Sequence, residues 1–361
     1  MNLHKKHIIT VTKRKQGGNT PPIQPWDARL NVQQERKKSM KKRILALTAV
    51  ALLLFCTCGC STMKNDMTTE YNKPHIAVVA KGTQHNYWQA VKKGAEKAAA
   101  DLDVSLSFEG PDVESKVEEQ VKMFESALAK NPVAICLATI DSKSVAKSLE
   151  TAQKRGIPIV AFDSDAESHA IVATAATDNE AAAALAADKL AEAVESQGSI
   201  GMVIHDETST TGKARRDGFK NRIETKYPNV QIVEIKYATG EHAKPANAAK
   251  AILSAHPEIK GLFGSNEDTA VGIMEALEEL DKVGKVKVVG FDSGKKQTDY
   301  IRNGNLVGAV TQNPYQMGYK AVETAYRAHK GETVQKNIDT GFEWYDKNNI
   351  DSTAIRDLLY D

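Results

Sequence analysis

The sequence predicts a doubly wound α/β protein divided into two similar lobes, and three observations carry that reading. From His75 onward, short runs rich in β-branched and aromatic residues alternate with longer amphipathic segments such as WQAVKKGAEKAAADL and AAAALAADKLAEAVES. Runs such as KVKVVGF are apolar on both faces, as strands covered by helices on two sides should be. Roughly 300 residues remain once an N-terminal leader is set aside, a length that favours two lobes over one core.

The leader stands apart by charge. Residues 1–60 hold 12 of the 48 Lys and Arg but only 2 of the 46 Asp and Glu, so the body beyond them carries about −8 although the chain sums to +2. An acidic body lacks the basic face that counterion release on nucleic acid requires, and no nucleic-acid partner is expected. Residues 1–39, with GGNTPPIQPW and mixed charge, show no period and read as a disordered or misassigned N-terminal extension. Met40, followed by Lys41, Lys42 and Arg43, fits the true start, because these cations precede a 12-residue apolar run at 44–55. That run is too short for a helix crossing a hydrocarbon core, which needs about 20 residues, but suits a secretory signal, assigned to residues 40–59.

Four cysteines stand at 56, 58, 60 and 136. The first three are spaced too tightly for a tetrahedral zinc site. TCGC, with Gly59 before Cys60, resembles a bacterial lipobox, which implies lipid attachment at Cys60, with Cys58 as the alternative because Thr57 stands where Leu is usual. Two acyl chains anchor stably where one does not. The polar, aperiodic residues 60–73 then form a lipidated tether, and the protein is expected outside the cytoplasm on the cell membrane. Cys136, within VAICLAT, reads as a small buried apolar residue.

Strands are expected in order at residues 76–80, 104–108, 133–137, 157–162, 171–174, 200–205, 231–237, 261–265, 286–291 and 307–311. Ligands of open α/β sheets bind beyond the carboxyl ends of strands, so the residues that follow these runs are the candidates. HIAVVA leads to Asn86, Tyr87 and Trp88, IVAF to Asp163 and Asp165, and MVIHDETSTTGKARRDGF to Arg215. GLFGSN leads to Asn266, KVVGF to Asp292 and VGAVTQ to Gln312. Tyr87 and Trp88 are adjacent at a helix start and point in different directions, so at least one faces something other than the core. Carboxylates, amides, a guanidinium and aromatic rings without a Gly-rich phosphate cradle suit a neutral polyol: planar groups exchange hydrogen bonds with hydroxyls, and rings cover the C–H faces of a sugar.

Over residues 74–345 the chain resembles the periplasmic sugar-binding proteins of the ribose and galactose type, the substrate receptors of ABC importers. The resemblance rests on TQHNYWQAVKKGAEKAA, RGIPIVAFDSD, TDNEAAAALAADKLAE, RRDGFKNRI, GLFGSNEDTAVGIMEAL, KVVGFDSGKKQTDYIRNGNLVGAVTQNPYQMGYKAVE and NIDTGFEWYDKNNID in that order. HNYW and the late DTG are most similar to the glucose-binding branch. The resemblance implies a type 1 periplasmic binding protein fold, two Rossmann-like lobes joined by a three-crossover hinge near Asp178, Gln312 and Thr340. The lobes would comprise residues 74–177 with 313–339, and 178–312 with 340–361. It also implies ligand contacts at Asn86, Tyr87, Trp88, Asp163, Arg215, Asn266 and Asp292, a hinge role for Gln312, and a membrane permease as partner. Ribose-type receptors carry Arg where Ser164 stands and an aromatic residue near the position of Gly240.

The same residues have plainer readings. Tyr87 and Trp88 could staple a helix start, Asp163 and Asp292 could cap helices, Arg215 could pair with Asp217 or Glu224, and Asp165 and the Asp178–Asn179 pair could serve turns. His85 and His205 lack a second ligand at zinc spacing, so no metal or cofactor is expected. An enzyme reading finds no G-x-S-x-G, P-loop or H-E-x-x-H. A repressor would need a helix-turn-helix ahead of residue 75, where the signal stands. The expected function is therefore capture of a neutral monosaccharide by a monomeric receptor. The alternatives are a sensor subunit for a membrane kinase or chemoreceptor, or a binder of inositol or a furanose signal.

Overall fold

The computed structural model describes residues 73–238 and 243–360. The expectations for residues 1–72, including Cys58, Cys60 and nearly all of the tether, lie outside the described residues, as does the Gly240 position. The chain begins with β1 (His75–Val79), α1 (Asn86–Asp101), β2 (Ser105–Glu109), α2 (Val117–Ala129), β3 (Ala134–Leu137), α3 (Ala146–Lys154), β4 (Ile159–Phe162) and β5 (Ile171–Ala176). It continues with α4 (Asn179–Ala193), β6 (Gly198–Ile204), α5 (Thr210–Lys226), β7 (Val230–Tyr237), α6 (Ala243–Ala255), β8 (Gly261–Gly264), α7 (Glu267–Glu279), β9 (Lys287–Phe291), α8 (Lys295–Arg302) and β10 (Gly308–Gln312). It closes with α9 (Pro314–His329), β11 (Asn337–Asp339), β12 (Phe342–Asp346) and α10 (Thr353–Arg356).

Two six-stranded sheets result, ordered β11-β5-β4-β3-β1-β2 and β12-β10-β9-β8-β6-β7. Every pairing is parallel except that of β10 with β12. The chain leaves the first sheet after β5, returns to it with α9 and β11, and leaves again for β12. Each sheet with the helices packed on it forms one lobe. Alternate residues of one strand bury against opposite layers, Ile76 and Val78 on one side of β1 and Ala77 and Val79 on the other, which is why these strands read as unbroken apolar runs. Cys136 lies buried in the first layer, and burial pushes its thiol up.

The return of α9 depends on two glycines. A Cβ built on Gly94 of α1 would collide with the Tyr315 carbonyl, and one on Gly318 of α9 with the Val91 carbonyl. The helices therefore cross backbone against backbone, and α9 is seated on the helix that carries Tyr87 and Trp88. The ten expected strands are present with ends shifted by one or two residues. The strands β11 and β12 were not expected: the first spans three residues with polar neighbours, and the second is an edge strand only partly buried.

The two sheets repeat one plan. Within the orders β2-β1-β3-β4-β5 and β7-β6-β8-β9-β10, strands β4 and β9 occupy the same place. Each is followed by an Asp in the left-handed region, Asp163 at φ 56° and Asp292 at φ 77°. The N–H of each donates to the next strand, Asp163 to Ala175 O at 3.1 Å and Asp292 to Val310 O at 2.7 Å. Left-handed backbone is tolerated by Asp better than by most residues, and here it turns two carboxylates into the space between the lobes.

Candidate functional site

Both strand-end aspartates line one cavity that is partly open to solvent, with walls from both lobes. On the first lobe, Asp163 accepts a hydrogen bond from the Tyr87 hydroxyl at 2.7 Å and faces the Lys81 ammonium at 3.9 Å. Lys81 is itself buried directly after β1 and pairs with Glu114 at 3.2 Å, while the Trp88 indole donates to Glu114 at 2.8 Å. Burial pushes Asp163 up, and the nearby Lys81 and Arg215 oppose it. Burial would also raise Glu114 and lower Lys81, but their attraction wins, holding the carboxyl below and the ammonium above their ordinary ranges.

On the second lobe, Asp292 accepts from the Gln312 amide at 2.7 Å and the Glu267 N–H at 3.2 Å. Burial pushes this carboxyl up too, against the pull of Arg215 at 3.9 Å. Arg215 is buried and fixed on three sides. Its Nε donates to Asn179 Oδ1 at 2.7 Å, Nη1 donates to the Ser265 carbonyl at 2.9 Å, and the guanidinium lies 3.8 Å over the Phe291 ring. Asn179 donates in turn to the Thr177 carbonyl at 3.0 Å. Gln312 ties the site to the crossover after β5, since its Oε1 accepts from the Thr177 hydroxyl at 2.8 Å. His205 lies between Ser265 and Thr211, and burial lowers it to about 4, so it is neutral at neutral pH.

The lobes meet around this cavity. The His85 ring lies 3.3 Å from Asp268 and 3.8 Å from Glu267 at the start of α7, and these two carboxylates raise it to about 11. Farther along, Ser142 donates to the Thr208 carbonyl at 3.0 Å, the Asp165 N–H donates to Thr210 at 2.9 Å, and Lys213 pairs with Glu167 at 3.1 Å.

Of the residues singled out in the sequence, Tyr87, Trp88 and Asp163 line the cavity from the first lobe, and Arg215, Asn266, Asp292 and Gln312 from the second. Asn86 and Asp165 do not. Asn86 is exposed in the wider mouth of the cleft, and the Asp165 carboxylate is used by the Ala166 N–H at 2.7 Å and the Thr174 hydroxyl at 2.6 Å. Asn266 also caps α7, accepting from the Thr269 N–H at 3.0 Å. The cap of α8 is Gly294 rather than Asp292, and Arg216 rather than Arg215 pairs with Asp217. Tyr87 and Trp88 are both buried, edge-on to each other at 4.9 Å. Sequence reasoning missed Lys81, Glu114, Asn179 and Tyr360. Lys81 could have been found as a cation directly behind an apolar strand; Glu114 and Tyr360 carry no local signal. Among the described residues no group of His, Cys, Asp and Glu is arranged to hold a metal ion.

Two acids at equivalent strand ends, one from each α/β lobe, thus line one cavity, and sequence comparison gives the class of the protein. The family profile of the periplasmic binding protein domain matches residues 76–333, and the chain belongs to that family. It is 27% identical to the ribose import binding protein of Escherichia coli (strain K12) over 304 residues, 82% of this chain and 95% of that one. Among solved structures, a carbohydrate transporter solute-binding protein from Agrobacterium radiobacter in complex with D-arabinose is 35% identical, with a TM-score of 0.76 over 80% of this chain and 99% of that one. An ABC transporter solute-binding protein from Agrobacterium vitis with bound D-fucose is 34% identical, with a TM-score of 0.75 over 79% and 100%.

Proposed function

We propose that this protein captures a neutral monosaccharide between its lobes, residues 74–177 with 313–339 and residues 178–312 with 340–361, and presents it to the permease of an ABC importer. It acts outside the cytoplasm as a monomer tethered through a lipidated Cys60, or Cys58. The observation that best supports a polyol is the pair Asp163 and Asp292: each buried carboxylate can accept from sugar hydroxyls, and Arg215 between them can donate. The ribose, D-arabinose and D-fucose named for the relatives are neutral monosaccharides. A phosphate ester fits poorly, because Lys81 already faces Glu114 and Asp163, and Arg215 faces Asp292. Sugar bridging both lobes would favour the closed arrangement and shift the population toward it about the three crossings.

Mass spectrometry of ligand released from the purified protein, followed by calorimetry against pentoses, hexoses, inositols and sugar phosphates, tests the reading. Binding of at least one neutral sugar more tightly than its phosphate is expected. Tighter binding of the phosphate, or no binding of any neutral sugar, overturns it.

A further inference from the structure

The segment after α10 recrosses the cleft. Ile355 and Leu359 pack into the second-lobe core, but Tyr360 lies among the first-lobe residues that include Tyr87 and Trp88. Its ring stands edge-on to Tyr87 at 5.6 Å, and it is 9% exposed while lining the cavity. The Tyr360 hydroxyl accepts from the Ser293 N–H at 2.9 Å, one residue beyond Asp292. Among the described residues no acceptor takes its proton, although Asp292 and Glu267 are close enough that, after burial, their charges push the phenol further up. A buried phenol whose oxygen is satisfied from one side holds its proton toward the other, and a buried donor without an acceptor is costly.

We propose that Tyr360 is a specificity-determining ligand contact: its ring forms the back wall of the sugar cavity, and its hydroxyl donates to one sugar hydroxyl from outside both lobes' strand ends. That donor complements the acceptors beside it. A sugar hydroxyl that gives its proton to a carboxylate of the site has its oxygen free to accept from the phenol, so the pair reads one hydroxyl in one orientation. The ring limits what can extend from the sugar at that end.

The inference rests on the function proposed above, and the test separates the two. Calorimetry of the parent protein and of Tyr360→Phe is run against the best-bound monosaccharide and its set of monodeoxy analogues. Tyr360→Phe keeps the ring and its packing, so it remains informative if Tyr360→Ala does not fold. The Phe variant is expected to bind the full sugar about tenfold more weakly, the loss of one hydrogen bond, yet to match the parent on the single analogue that lacks the contacted hydroxyl. An equal loss on every analogue assigns Tyr360 to packing alone and overturns the inference, as does no loss on any sugar. A parent protein that binds no monosaccharide defeats the proposed function and this inference with it.

Discussion

Asp163 and Asp292 are held where an ionised carboxylate is uncomfortable. Both are pushed up, first by burial, and neither Lys81 nor Arg215 fully offsets this. An acid whose folded pKa exceeds its unfolded value binds its proton more tightly when folded, so stability falls as pH rises from the unfolded value through the folded one. At neutral pH each charge therefore costs stability. Asp163→Asn and Asp292→Asn should raise the melting temperature of the ligand-free protein at neutral pH, since Asn keeps the shape and tolerates the left-handed backbone. The same variants should weaken sugar binding by roughly a hundredfold, because each loses charge-assisted bonds worth about 1.5–3 kcal/mol. Thermal melts with calorimetry check both halves, and a variant that melts lower while binding normally contradicts the argument. Trp88 and Tyr87 differ in kind. They are packed in the first-lobe core and hydrogen-bonded to Glu114 and Asp163, so they position those carboxylates.

At the scale of elements, the site depends on how closely α9 approaches α1. Ala at Gly94 or Gly318 would press a methyl into a backbone carbonyl, which cannot swing aside as a side chain can. Each substitution should cost about 1–3 kcal/mol in denaturant unfolding. Because α1 carries Tyr87 and Trp88, each should also weaken sugar binding; unchanged stability would show that the helices can separate freely. All ten strands expected from the sequence are present, and β2, β5 and β7 were legible from β-branched and aromatic content despite their partial exposure. Those buried on both faces, β1, β3, β4, β8, β9 and β10, left the clearest mark as continuous apolar runs followed by a turn. Asp163, Asp292 and Gln312 were legible for the same reason, being the residues at or just beyond those runs. Glu114 was not, because its loop between β2 and α2 has no pattern and its partners, Lys81 and Trp88, lie about thirty residues earlier in the chain. Tyr360 was not, because its contacts are with Tyr87 and Ser293, far away in sequence.

For the molecule as a whole, His85 should make closure of the lobes pH-dependent. It belongs to the first lobe and faces Glu267 and Asp268 of the second, with Glu114 adding to the negative field. Raised to about 11 in the closed arrangement, against the ordinary 6.5 once the lobes part, it favours closure when protonated. That contribution is complete below about pH 6.5 and fades as pH rises toward the raised value. Sugar affinity should therefore decline by up to about two orders of magnitude between about pH 6 and 9, and His85→Gln should flatten the profile, as read by calorimetry at several pH values. A slope that survives the substitution would move the effect elsewhere.

The polar contacts that join the two lobes, His85 with Asp268, Lys213 with Glu167 and Ser142 with Thr208, bear on residence time. A rim sealed by apolar surface would make reopening slow, whereas partners that water readily re-solvates give a low barrier to letting go. For a carrier that must surrender its cargo at every encounter, the dissociation rate matters as much as affinity. Because the Debye length shrinks from about 10 Å at 0.1 M salt to about 3 Å at 1 M, stopped-flow dissociation of the sugar should quicken as salt is raised, while the association rate, set by an uncharged ligand, stays nearly constant.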